Sequence, residues 1–123
     1  MRNILKILTV TSITLFYSCT NKLEEKITKN WRVQKMEKMT PLTLNKYVPI
    51  KIDINSKMCY NFLPQNKVKL ITQMGSSMQG TWHINDSTIS IYTKKEKKEL
   101  NILKLTDNEL VLASGRFKFY LEN

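Results

Sequence analysis

From Asn30 onward the apolar residues recur at every second position, the period of a half-buried β-strand rather than of a helix. Trp31 and Val33 open a first strand. Val48, Ile50, Ile52 and Ile54 alternate with Pro49, Lys51, Asp53 and Asn55 in a second. Pro49 has no N–H for a ladder, which puts it at that strand's start or on an edge. Met58, Tyr60 and Phe62 form the inner face of a third strand, closed by a Pro64-Gln65-Asn66 turn. Val68, Leu70, Thr72 and Met74 form that of a fourth, ended by Gly75-Ser76-Ser77. The clearest hairpin puts Trp82, Ile84, Ile89 and Ile91 on one face around Asn85-Asp86-Ser87, where Asn and Asp tolerate a left-handed backbone. The mixed-charge run Lys94 to Glu99 reads as a solvated hairpin tip. Leu100 and Ile102 then give way to Leu103 and Leu105, a change of phase that predicts a bulge. Beyond a turn at Thr106-Asp107-Asn108 come a strand from Leu110 to Leu112, a turn at Ser114-Gly115, and a last strand with Phe117, Phe119 and Leu121 alternating. About nine short strands, with turn signals roughly every 8 to 12 residues, predict an all-β antiparallel barrel or sandwich. Most connections are far shorter than the dozen or so residues that a parallel crossover needs.

The amino terminus follows a different pattern. Arg2 and Lys6 precede an uncharged, largely apolar stretch from Ile7 to Tyr17, and small Ser18 stands directly before Cys19. That is the layout of a secretory leader. The stretch is shorter than the roughly 17 to 25 residues that span a bilayer, so the leader is expected to be removed. With Cys19 after a small residue it resembles the lipobox of bacterial lipoproteins, although Phe16 and Tyr17 are bulkier than the usual pattern. The resemblance implies cleavage before Cys19, a diacylglycerol on its sulfur and a fatty acyl group, such as palmitate, on the new amino terminus. Two or more buried chains give stable anchoring. The expected organisation is a signal peptide over residues 1–18, a lipidated tether over 19–29, with a helical turn through Ile27, and one barrel domain over 30–123. Lys22, Glu24 and Glu25 weakly resemble the surface-export signal of some Bacteroidetes-type lipoproteins.

Composition changes this picture little. The mature chain of about 105 residues suffices for one domain with a core. With Cys19 lipidated, Cys59 is left without a partner for an internal disulfide and is expected to be buried. Lys and Arg number 20 against 10 acidic residues, and losing Arg2 and Lys6 takes the net charge from +10 to +8. A basic surface suits polyanions, but the lysines are scattered, and an exported chain meets little nucleic acid, so none is expected as a partner.

Reactive constellations are not recognisable. His83 is the only histidine and lies opposite Trp82 on the alternation, hence outward. Neither a zinc set nor a Ser-His-carboxylate triad has the necessary partners. Gly80 is followed by Thr81-Trp82 rather than by Lys-Ser/Thr, so there is no phosphate loop. Asp86-Ser87-Thr88 resembles an O-glycosylation acceptor of Bacteroidetes, but an ordinary Asp-Ser turn is the preferred reading. The expectation is a non-enzyme without cofactor or metal.

The mature chain resembles the small lipocalin-like lipoproteins of Bacteroidetes. The likeness rests on Lys29-Asn30-Trp31-Arg32-Val33, Tyr60-Asn61-Phe62, Gly80 to Asp86, and Leu103 to Leu112 before the closing aromatic strand. It implies a small antiparallel up-and-down barrel of about eight to nine strands, at the outer membrane. It also implies a cation from the last strand packed on the first-strand tryptophan, for which Trp31 and Arg116 are the candidate barrel-end pair. Lys29 stands where lipocalins have glycine. Trp31, Tyr60, Phe62, Trp82, Phe117 and Phe119 either line a ligand pocket or fill the core. The expected function is binding of a small apolar or amphipathic ligand, or of an envelope partner. The alternative is an envelope inhibitor or accessory subunit acting through a long Glu37 to Lys46 connection and a Gly75 to Gly80 loop with Met74 and Met78.

Overall fold

The computed structural model describes residues 22–123; the leader and Cys19 lie outside the described residues. A short helix over residues 22–27 leads into nine strands. These are β1 (Asn30–Thr43), β2 (Lys46–Ile52), β3 (Cys59–Leu63), β4 (Lys67–Ile71), β5 (Ser77–Asn85), β6 (Thr88–Thr93), β7 (Lys97–Leu105), β8 (Glu109–Ser114) and β9 (Phe117–Glu122). Every pairing is antiparallel, and β9 returns to β1, which closes the ring. The predicted all-β antiparallel barrel is therefore the observed fold: eight strands in the ring, with β2 as an addition.

β1 explains how nine strands make an eight-stranded ring. Residues Arg32 to Lys38 pair with β9 along one side. The other side takes β3 against Asn30–Arg32 and β2 against Met36–Thr43. β2 and β3 thus run in the same direction along one edge of β1, separated by the loop over 53–58. Pro49, opposite Met39, lies on a strand with a neighbour on one side only, the edge that its missing N–H requires.

Several predicted boundaries are corrected. The segment from Glu37 is not a long connection: β1 continues to Thr43 and returns through a turn at Leu44-Asn45. The pattern hid this because the pairing with β9 slips between Val33 and Lys35. Such an extra residue moves the inward set from Trp31 and Val33 to Met36. Past Met39 the strand also rises clear of the core, so nothing selects apolar residues there. Ile54 and Met74 lie beyond the ends of their strands. The predicted Gly75 to Gly80 loop shrinks to a turn over 72–76, with Gly75 at φ +89° and β5 starting at Ser77. Gly80 is a strand residue instead: a Cβ there would collide with the backbone oxygen of Tyr92, so β5 and β6 run too close together for any side chain. The predicted bulge is present, with a slip between Ile102 and Lys104 that leaves Leu103 exposed. Asp86 takes the left-handed turn conformation, at φ 55°.

The two ends of the barrel differ. The β3–β4, β5–β6 and β7–β8 turns and the 22–27 helix gather at one end, which is closed. Ile27, predicted as part of a tether, is fully buried there beside Trp31, and Leu23 packs on the same cluster. Phe62, Trp82, Ile84, Ile89, Leu100, Leu110 and Leu121 extend that core along the barrel axis. The β1–β2 hairpin, the 53–58 loop and the β4–β5, β6–β7 and β8–β9 turns surround the other end, which is open.

Candidate functional site: the open end of the barrel

The six aromatic candidates divide between the two ends. Trp31, Phe62 and Trp82 are filling. Trp31 Nε1 donates to the Ile27 carbonyl at 2.9 Å, Trp82 Nε1 donates to that of Leu63 at 3.1 Å, and Phe62 meets Trp82 edge-on with centroids 5.1 Å apart. Both indole donors are spent inside the protein, so neither remains for a ligand. Tyr60, Phe119 and Phe117 line a cavity at the open end instead. Tyr60 bridges the two groups, stacked on Phe62 with centroids 6.2 Å apart and edge-on to Phe119 at 6.2 Å.

That cavity is an open cup of about 530 Å³, inside the range of about 300 to 1,000 Å³ typical of ligand pockets. Its floor is Met36, Met58, Tyr60, Leu70, Ile91 and Phe119; Met74, Met78 and Phe117 stand around them. Thr72, Gln73, Thr93, Glu96 and Ser114 complete the lining with polar groups. Part of the rim is tied down: Gln73 Nε2 donates to the Asp53 carbonyl at 2.9 Å, and the Asn55 N–H donates to the Gln73 carbonyl at 3.1 Å. These bonds join the 53–58 loop to the β4–β5 turn.

Two residues of the cup, Glu96 and Lys98, come from the stretch expected to be a solvated tip, and of these Lys98 is the one that turns inward. The β6–β7 turn occupies only residues 94–96, so Lys98 is already in β7, two positions before fully buried Leu100 and on the same face. Lys98 therefore points into the barrel mouth. Its Nζ lies 5.1 Å from the Phe119 ring centroid and 5.7 Å from that of Tyr60, and donates to Tyr60 Oη at 3.1 Å. Parity with Leu100 was the signal that could have found it.

The proposed pairing of Arg116 with Trp31 is not formed. Arg116 lies over Tyr47 of β2 at 5.5 Å, and its carbonyl accepts from Met39 N–H near the open end. In nine strictly alternating strands β9 would begin at the Trp31 end. Because β2 and β3 share a direction, β9 begins at the opposite one. The cation over Trp31 is Lys29, at 5.7 Å, which also donates to the Asp107 carbonyl at 3.0 Å across the closed end. His83 is exposed as expected, Ser87 is exposed in its turn, and Cys59 is free and only half-buried rather than buried. Among the described residues no three His, Cys, Asp or Glu side chains gather as a metal site.

The profile of the lipocalin-like domain family matches residues 27–112 of the chain. This chain belongs to the lipocalin-like domain family. Two solved structures share its fold. A lipocalin-like protein from Bacteroides uniformis superposes with a TM-score of 0.57 at 14% identity, covering 80% of this chain and 98% of that one. An uncharacterized protein from Bacteroides eggerthii gives 0.53 at 13% identity, covering 78% and 98%. No curated protein matches the sequence. At such identities the likeness extends to the barrel and not to the contents of its mouth, so the chemistry of this lipocalin-like domain has to be read from its own side chains.

Proposed function

We propose that this protein is a non-enzymatic binding protein that takes a small apolar or amphipathic molecule into the mouth of its barrel, and that a lipid on Cys19 holds it at the cell envelope. The open cup carries the proposal. A barrel of eight strands is just wide enough either to fill with side chains or to hold one small ligand. Here one end is filled and the other is not. Methionine is concentrated in the lining, with Met36, Met58, Met74 and Met78 all contributing. Its flexible, polarizable side chain adapts to varied apolar shapes. The described chain starts next to the closed end, so an anchor a few residues upstream would leave the mouth facing away from the bilayer.

Native mass spectrometry of the mature protein purified from envelopes tests the binding role. A small molecule retained by the wild type and lost when Met78 and Phe117 are both changed to Asp supports it; an empty wild type that also takes up no added amphiphile refutes it. Labelled palmitate entering the wild type but not Cys19→Ala tests the anchor.

A second role, docking of an envelope protein, has one observation in its favour. Leu42, Leu44, Tyr47 and Ile50 are all exposed on the β1–β2 hairpin, Leu44 completely. Co-purification of a stoichiometric protein that is lost with Leu42→Ser and Leu44→Ser would favour this role over the first.

A further inference from the structure

We infer that Lys98 and Tyr60 form an anion anchor inside the cup, so that the preferred ligand is an amphiphile with a single negatively charged head, such as a fatty-acid carboxylate. The inference rests on the mouth being a ligand cup and adds what that cup selects.

An ammonium facing apolar walls loses hydration that something must replace. Two ring faces, Phe119 and Tyr60, supply part of the replacement. A carboxylate does not: among the described residues the ion pairs are Lys35–Glu37, Lys97–Glu99 and Lys104–Glu109, and Lys98 is in none of them. Glu96 lines the same cavity but is exposed and outside ion-pair distance of Lys98. The Lys98 ammonium therefore faces the cup without a salt-bridge partner among the described residues, the Glu96 carboxylate standing at the exposed rim of the same cavity.

The hydrogen-bond inventory gives the same sign. An ammonium has three donors and no acceptor, so in the 3.1 Å contact Tyr60 Oη must be the acceptor. The phenol's own hydrogen remains available. Lys98 and Tyr60 thus offer only donors beyond their mutual bond: two N–H and one O–H. A carboxylate, which only accepts, complements that set and the charge together. A neutral alcohol meets it in part, and an amine meets neither. The apolar part of such a molecule would lie against Met36, Met58, Leu70, Ile91 and Phe119, which share the cavity with this pair.

Calorimetric titration of the mature protein with laurate, lauryl alcohol and laurylamine, each kept below its micellar or solubility limit, tests this. These share one chain and differ in the head. Laurate is expected to bind about tenfold more tightly than the alcohol, as a charge-assisted hydrogen bond implies, and the amine most weakly. Lys98→Met keeps the length and apolar stem and should equalise laurate and alcohol, costing laurate about tenfold or more and the alcohol only a few-fold, since the alcohol loses a weaker hydrogen bond and no charge pairing. Lys98→Arg should retain the preference for laurate, and Tyr60→Phe should weaken it by a few-fold. Equal binding of laurate and alcohol by the wild type, or a preference that survives Lys98→Met, overturns the anchor and leaves the cup intact. Failure of all three to bind overturns the cup and the anchor with it.

Discussion

The two ends of this barrel are built from the same strands with the same alternation, yet they do opposite things. At the closed end the 22–27 helix supplies Ile27, and three large aromatic side chains fill the space between the strands. Both indole N–H groups there find backbone carbonyls. At the open end the inward positions are held by methionines, one tyrosine, one lysine and rings at the wall, and among the described residues no segment lies across the top. Inward alternation makes a barrel, but the volume of the inward residues and the presence of a covering segment decide whether an end is core or site. The bonding differs too. The indole donors of the closed end are spent on backbone carbonyls, while Lys98 at the open end keeps N–H donors beyond its bond to Tyr60.

The largest expected effect separates the ends by stability. Phe62→Ala empties a filled, inextensible space and should cost about 3 to 5 kcal/mol in denaturant unfolding. Met78→Ala, on the half-buried wall of a cup already open, should cost less than about 1 kcal/mol while weakening uptake of an apolar ligand. Comparable losses from the two would break the contrast. Next in size is Gly80→Ala. Its Cβ would fall inside the Tyr92 carbonyl, so β5 and β6 must separate, at about 1 to 3 kcal/mol by analogy with overpacked cores. Lys29→Ala removes the cation over Trp31 and the bond to Asp107 across the closed end. Its expected cost is about 0.5 to 1 kcal/mol, as for an exposed cation-π contact, with no change in ligand affinity at the other end.

The smallest effect belongs to the wall between the ends. Glu37 faces outward from β1, where a hydrogen bond from the Tyr120 hydroxyl, followed by the attraction of Lys35, holds its carboxyl below the ordinary glutamate value of 4.5 against the opposing effect of burial. A folded-state pKa below the unfolded one contributes stability that is complete above the ordinary value and is lost as pH falls through the folded value. Between pH 4.5 and that lower point the wild type should lose stability that Glu37→Gln does not. Midpoints of thermal unfolding across this window check the sign, and ligand binding should not follow it.

Most of the wall was legible from the chain. The residues placed inward by parity at Trp31, Val33, Tyr60, Phe62, Val68, Leu70, Trp82, Ile84, Ile89, Ile91, Leu100, Phe119 and Leu121 are buried. Val48, Ile50, Ile52 and Ile54, which alternate just as regularly, are not, Ile50 being exposed, because β2 lies outside the ring. The failures have particular causes. Lys98 obeyed the parity of Leu100, but a lysine within a run of charges reads as solvated, and a single charged side chain inside a mouth breaks the very rule that finds cores. The upper half of β1 was missed because a bulge shifted its phase, and because it extends past the core that would have imposed one. Arg116 was paired with Trp31 on the lipocalin resemblance, and the pair is not formed because β2 and β3 share a direction, which starts β9 at the opposite end.

Local chemistry in the chain determined most of the strands and of their inward faces, most of their turns and the bulge at Leu103. Side-chain parity and the backbone demands of Asn, Asp, Gly and Pro act over a few residues and do not depend on closure. Which end is plugged, where the cup opens, and the meeting of Lys98 with Tyr60 across 38 positions were decided by the closed ring. Those outcomes depend on strand direction and on how the ring registers on itself, and such long-range pairings leave no periodic trace in any one segment.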